Sequence, residues 1–382
     1  MEKEKFENIN IEGSAQGAAN GEEQKPHKRR PHYSGTHPRS YKEKYKELNP
    51  EKYGDTIAKV KQKGSTPAGM HISIMVKEVL DALQIQPGMI GLDGTLGYGG
   101  HSSAMMKELQ GRGHLYSLDL DPIEMAKTKA RLNENGFGDN IFTPIHTNFA
   151  NLAEVASQHG PFDFLMADLG VSSMQIDNPE RGFSYKLDGP LDLRMDPTKG
   201  ESAAQRLASL EEDELISILI ENSDEPYAEE LAAAIRKHFW KGGKIDTTTD
   251  LRNIIDEVLE KIWAKNSKKG YNISKEDKKE EEKKTCQRVF QALRIEVNSE
   301  FDNLYSFLEA LPHAMKSGGR IAILTFHSGE DRLVKKAFKA GQKAGIYSEI
   351  SEEVIRPSRE ECFVNPRARS TKLRFAKKEA VK

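Results

Sequence analysis

Three aspartates and a cluster of glycines hold the chemistry this chain offers first. Residues 93–102 read Asp-Gly-Thr-Leu-Gly-Tyr-Gly-Gly-His-Ser, which puts Gly97, Gly99 and Gly100 in one short loop. Glycines placed this way let a backbone bend sharply and come close to a ligand. Asp119 stands 22 residues beyond Gly97, at the end of an apolar run. A carboxylate at that distance can accept both hydroxyls of a ribose. A dinucleotide fingerprint would want a third glycine at 102, where Ser102 stands. The combination favours an adenosine-containing cofactor over a plain turn and leaves nicotinamide and S-adenosylmethionine as candidates. Ser102, and an early Asp93 able to bind an ammonium group, lean towards S-adenosylmethionine. Asp168 closes a further apolar run just before a long polar loop, a better setting for a ligand contact than for a simple cap.

These residues need elements to position them. His71–Leu83 spaces Ile72, Met75, Val76, Val79, Leu80 and Leu83 as the apolar stripe of a helix. Met89–Asp93 and Leu115–Leu118 read as strands, each ended by an aspartate. Helices are expected from about His101 to Leu109 and over Pro122–Asn133, the latter with proline in its first turn. Ile141–Ile145 and Phe164–Ala167 supply two more strands. Alternation at this pace predicts a parallel α/β sheet. It stops after Asp168. Residues 170–198 are polar and rich in Gly and Pro, and a structureless loop beyond ~12–15 residues is usually functional or disordered. From Ser202 to about Asp302 the period is helical, as in Ala228–Phe239 and Leu251–Trp263. The Lys/Glu run Lys275–Lys284 reads as a solvated excursion that interrupts it. Ser317-Gly318-Gly319 reads as a turn into a buried strand, Arg320–Phe326. The simplest arrangement is one α/β domain with a helical insertion, closed by C-terminal strands.

Composition narrows the class. The 382 residues are enough for two or three domains, and 30% of them are charged. No apolar run approaches the ~20 residues of a membrane span. The first ten residues lack the apolar core of a signal peptide, so a cytoplasmic protein is expected. Cys286 and Cys362 lie far apart without CxxC spacing, which excludes a disulfide scaffold and a zinc ribbon, and no metal is expected. The net charge of −2 hides an uneven distribution: residues 24–46 carry eight Lys/Arg against Glu43 alone, interleaved with three tyrosines and three histidines. Residues 356–382 carry nine Lys/Arg against three Glu. Basic ends with aromatic residues suit a polyanion. Residues 1–65 are poor in apolar side chains, which argues for a segment that is disordered or folds on contact.

Five ordered blocks carry a family resemblance. DGTLGYGGHS (93–102), DLGVSSMQIDNPERGFSYKLDGPLDLRMDP (168–197), FQALRIEVNSE (290–300), GGRIAILTFHSGEDRLVKKAF (318–338) and NPRARSTKLR (365–374) resemble the ribosomal RNA small subunit methyltransferase H family. The resemblance spans about residues 70–382. It implies a Rossmann-like class I S-adenosyl-L-methionine-dependent fold with an inserted helical domain. It also implies N4-methylation of one cytidine in the decoding region of 16S rRNA, with the small ribosomal subunit as partner. The boundaries expected are a basic extension over 1–65, methyltransferase segments over 66–182 and 294–382, and a helical substrate-recognition domain over 183–293. Oligomeric state stays open, a homodimer included.

Carried across position by position, the family's cofactor contacts fall on Gly99, Gly100, His101, Asp119, Phe149, Asp168 and Gln175, beside Asp93 and Gly97 from the loop itself. Asp168 is the expected catalytic group, accepting a hydrogen bond from the cytosine amine. His327 is a second candidate at the same sheet edge. Arg367, Arg369, Lys372 and Arg374 are the expected RNA contacts. The chain departs from the family pattern at Tyr98 (usually Arg), at Gly329 (usually Leu) and over 284–287. The same chemistry on another RNA site is therefore an alternative reading, and a non-catalytic ribosome-assembly protein is a further one.

Overall fold

The computed structural model describes residues 73–380. The basic stretch 1–65 and the start of the first expected helix, His71 and Ile72, lie outside the described residues. Seven strands form one sheet: β1 (Ile90–Asp93), β2 (His114–Asp119), β3 (Phe142–His146), β4 (Phe162–Asp168), β5 (Met315–Thr325), β6 (Tyr347–Ile350) and β7 (Lys372–Lys378). Their order is β3-β2-β1-β4-β5-β7-β6, with β7 antiparallel to β5 and β6 and the others parallel. The fold is Rossmann-like, an open and mostly parallel α/β sheet as expected. The order reverses between β1 and β4, the point where open α/β sheets bind ligands. Parallel strands put the C-terminal ends of β1, β2 and β4 on one edge, and therefore Asp93, Asp119 and Asp168 as well.

Helix α1 (Val76–Leu83) precedes β1, and α2 (Gly100–Leu109), α3 (Pro122–Glu134) and α4 (Leu152–His159) connect the first four strands. After β4 come the short α5 (Ser173–Asp177), then α6 (Ala203–Ser209), α7 (Glu212–Ser223), α8 (Ala228–Trp240), α9 (Thr248–Lys268), α10 (Lys275–Asn298) and α11 (Glu300–Ala314). Helices α12 (Ser328–Lys343) and α13 (Arg359–Val364) follow β5 and β6. Alternate residues of β4 face opposite ways. Phe164 and Met166 pack with Met105, Met106 and Leu109 of α2 and Val79 and Leu83 of α1. Leu165 and Ala167 pack with Leu152 of α4, Phe307 of α11 and Val334 and Phe338 of α12. A third core runs from Phe183 to Leu293 and joins α6 to α10.

Two sequence expectations change. The Lys/Glu run does not interrupt the helices; it forms the first turns of the 24-residue α10, capped by Ser274, whose Oγ accepts the Asp277 N–H at 3.0 Å. Those turns are mostly exposed, and the buried stripe starts only at Thr285. Ser317–Gly319 does not precede β5 but lies within it as a bulge: Phe162 pairs with Met315 and Phe164 with Arg320. Gly318 takes the positive φ (75°) that the bulge requires.

Candidate active site at the β1–β4 switch

A cavity of about 1030 Å³ opens at this sheet edge. Its floor is the glycine loop, stitched to two strands: Gly94 N donates to Met166 O at 2.8 Å and Leu96 N to Leu118 O at 2.7 Å. Asp119 lines the cavity and fixes the turn, with Oδ2 accepting Gly97 N and Oδ1 accepting Asp121 N, both at 2.8 Å. Each of its oxygens keeps a further lone pair. Burial pushes the Asp119 carboxyl up to about 6, against the pull of those two amides.

Asp168 ends β4 and faces the same space, its backbone N–H donating to Thr95 Oγ1 at 2.6 Å. Its Oδ2 lies 3.5 Å from His101 Nδ1, and its buried Oδ1 has no partner. Burial again dominates and raises the carboxyl to about 6; His101 pulls it down, while Asp93 and Glu330 push it further up. His101 lines the cavity, and its Nε2 sits 2.9 Å from Ile74 O.

Phe149 and Gln175 also line the cavity. Phe149 is held edge-on against Phe307 at 5.2 Å between ring centroids. Gln175 closes a capping box on α5, its Oε1 accepting Ser172 N at 2.8 Å. Gly97 and Gly100 line the space as well. A Cβ on Gly100 would clash with Ser73 Oγ.

Several expected contacts sit elsewhere. Asp93 is fully buried and does not line the cavity: Ser102 Oγ donates to it at 2.6 Å and Thr95 N at 3.0 Å. It braces the loop rather than meeting an ammonium group. Gly99 turns towards α3, where a Cβ would lie 2.8 Å from Thr128 Cγ2, and its amide is spent on Leu96 O. His327 caps α12 with its Nε2 3.2 Å from Glu330 Oε1, and it is Phe326 and Glu330 that reach the cavity. The basic quartet divides. Arg367 and Arg369 occupy a 3-10 turn on the cavity wall, with Arg367 donating to Asp177 at 2.8 Å. Lys372 and Arg374 turn away to Asp331, Arg374 Nε donating to Oδ1 at 2.6 Å with its side chain 6% exposed. Their charges hold the Asp331 carboxyl below its usual range against the effect of burial.

Glu300, His327 and Glu330 bring potential ligand atoms within 4.8 Å of one another. Arg294 is paired with this cluster, its Nε and Nη2 donating to the two Glu300 oxygens at 2.7 and 2.9 Å. Although burial alone would raise the Glu330 carboxyl, His327, Arg294 and the Phe326 amide lower it.

The chain matches the MraW methylase family over residues 68–379. It belongs to that family. Ribosomal RNA small subunit methyltransferase H 1 of Lachnoclostridium phytofermentans is 61% identical over 356 residues, covering 93% of this chain and 94% of that protein. The protein of that name from Agathobacter rectalis is 61% identical over 354 residues, 93% of this chain and 98% of its own length. Ribosomal RNA small subunit methyltransferase H of Pseudoalteromonas atlantica is 36% identical and covers 81% of this chain and 98% of its own. A match covering 93% must extend into residues 1–65, so the more similar relatives share part of the basic stretch. Among solved structures, an rRNA methylase from Streptococcus thermophilus overlays 80% of this chain and 93% of its own at 11% identity, with a TM-score of 0.35.

As a member of a methylase family with this fold, the methyltransferase uses S-adenosyl-L-methionine. The site suits such a ligand on its own chemistry. Burial raises the carboxyls of Asp93, Asp119 and Asp168, and Asp93 pushes the other two further up, a setting that a cationic ligand relieves. Asp168 Oδ1 awaits a partner and Asp119 can accept further hydroxyls. The departure at Tyr98 is offset locally: the Arg131 guanidinium from α3 lies 3.8 Å above the Tyr98 ring and donates to Tyr98 O at 3.1 Å.

Proposed function

We propose that this methyltransferase modifies N4 of a cytidine in the decoding region of small-subunit (16S) ribosomal RNA. The family and the names of its relatives support an rRNA substrate in the small subunit. The observation that carries the cytidine reading is Asp168, whose unpartnered buried oxygen stands at the cavity wall. A primary amine presents a donor there, and a lone pair freed from the ring is what the reaction needs.

In this reading Asp119 receives the ribose hydroxyls and Phe149 lies against the adenine. Gly97, Gly100, His101 and the amide group of Gln175 surround the remaining polar end. When bound, S-adenosyl-L-methionine supplies an electrophilic methyl group on a cationic sulfur. Cytosine N4 is a poor nucleophile because its lone pair is shared with the ring. Asp168 accepts a hydrogen bond from the amine and turns that lone pair towards the donor. Orientation of this kind can lower a barrier by ~7–11 kcal/mol. The proton shed after transfer has Asp168 as its nearest acceptor, and His101 shares it through Nδ1. The target base leaves its stack at a cost of a few kcal/mol.

The helical core over 183–293 forms the wall opposite the glycine loop in this scheme. It contributes Lys186 and Lys284 to the cavity lining, alongside Arg367 and Arg369. These four are the RNA-facing cations we assign. The enzyme would work in the cytoplasm, where its ribosomal substrate is. Mass mapping of modified cytidines in small-subunit rRNA, with and without the gene, tests the proposal. One N4-methyl mark lost on deletion and restored by the intact gene supports it; an unchanged pattern refutes it.

A further inference from the structure

Behind the cavity wall, one guanidinium bonds to parts of the chain that are distant in sequence. Arg181, in the loop after β4, donates through Nη1 to Asp121 Oδ2 at 2.9 Å, and through Nη2 to Arg194 O at 3.1 Å and Met195 O at 2.8 Å. Asp121 is 3% exposed. Its Oδ1 caps α3 by accepting the Ile123 and Glu124 amides, and its own N–H donates to Asp119 Oδ1. On the other side, Met195 N donates to Asn298 Oδ1 at 2.7 Å, and Asn298 Nδ2 donates to Leu193 O at 2.8 Å. Asn298 ends α10. Leu193 takes a left-handed backbone (φ 63°), with its amide on Arg181 O, so this stretch of wall is held against its own preference.

Asp119, Asp121, Leu193, Met195 and Asn298 all line the cavity; Arg181 does not. We propose that Arg181 is a positioning residue that couples the donor side of the cavity to its acceptor side. The Asp119–Asp121 turn and the Leu193–Met195 wall share this one cation, so occupancy of the turn fixes the wall against which the target base rests. The inference rests on the donor-site reading above. Asp121 turns Oδ2 to Arg181 because its other oxygen is committed to the helix cap. A reach to a carboxylate and two carbonyls at once suits the fork of an arginine, which lysine lacks.

The test uses the full-length protein and S-adenosylhomocysteine as probe. Its binding is measured by titration, and hydrogen exchange of residues 193–199 is followed with and without saturating probe. In the wild type the probe should slow exchange in that stretch at least about fivefold, the low end of ordinary coupling. Arg181→Met should still bind at high probe concentration yet lose the slowing, and Arg181→Lys should fall between. Asp121→Asn reaches the same bond from its other end while keeping a side chain that caps α3 well; it too should lose most of the slowing. A purely structural role would speed exchange with and without probe by the same factor. Probe-dependent slowing that survives in either Arg181→Met or Asp121→Asn overturns the coupling and leaves the donor-site reading standing. A wild type that fails to bind the probe overturns both.

Discussion

His101 Nδ1 lies 3.5 Å from Asp168 Oδ2 while the opposite ring nitrogen faces the carbonyl of Ile74. A carbonyl only accepts, so Nε2 carries a proton. Nδ1 is thereby turned towards the Asp168 carboxyl, and Asp168 Oδ1 is left for a substrate.

Holding Asp168 ionised costs stability, and the sign follows from its raised carboxyl. A group protonated more readily when folded stabilises the fold at low pH, and that contribution fades as pH rises from the usual carboxylate range through about 6. Asp168→Asn removes that cost. We expect a gain of about 1–3 kcal/mol at pH 8 and little change near pH 4, read from denaturant unfolding at the two values.

The same acids should make donor binding pH-dependent. Asp119 and Asp168 both sit near 6, and a cation beside them favours their ionised forms. Binding of S-adenosyl-L-methionine at pH 6 should release protons, seen by calorimetry in buffers of different ionisation enthalpy. S-adenosylhomocysteine, without the sulfonium charge, should release fewer. Equal release by both would show that the sulfonium charge does not act on these acids.

The basic C-terminal residues should separate by experiment as they do in space. Replacing Arg367 and Arg369 by Gln should flatten the salt dependence of RNA binding by about 0.7 in log–log slope for each phosphate no longer neutralised. Arg374→Met should leave that slope alone and cost about 2–3 kcal/mol of stability, because Asp331 loses its bidentate partner.

Gly329 leaves no room for the leucine usual in the resembling block unless the Phe301 ring shifts. A Cβ there would lie 2.8 Å from Phe301 Cζ and 3.1 Å from His327 Nδ1. Gly329→Leu should destabilise by about 1–3 kcal/mol. Adding Phe301→Ala should recover part of that, a non-additivity that a double-mutant cycle measures directly.

Much of this site was legible because parallel strands end on one edge. The placement of Asp119 and Asp168 followed from where β2 and β4 stop. Orientation was less legible: Asp93 and Gly99 belong to the same loop, yet one faces Ser102 and the other Thr128. Lys372 and Arg374 alternate with apolar residues as an exposed strand would, but their partner Asp331 lies far earlier in the chain. Periodicity cannot report so distant a bond. Arg181 gave no signal at all, since an arginine in a polar loop looks solvated until the carbonyls of Arg194 and Met195 fold back onto it. The charged start of α10 was missed for the converse reason: a helix held by its cap and its later turns needs no apolar stripe at its beginning.

Single-turnover transfer from labelled S-adenosyl-L-methionine to small subunits lacking the mark, with wild type and Asp168→Asn side by side, bears most directly on the role of Asp168. The variant should bind S-adenosylhomocysteine within a few-fold of wild type while its transfer rate falls about 10²–10⁴-fold, the range typical of a missing proton-handling group. Transfer at near wild-type rate, or a rate that falls only as far as the affinity does, would contradict it.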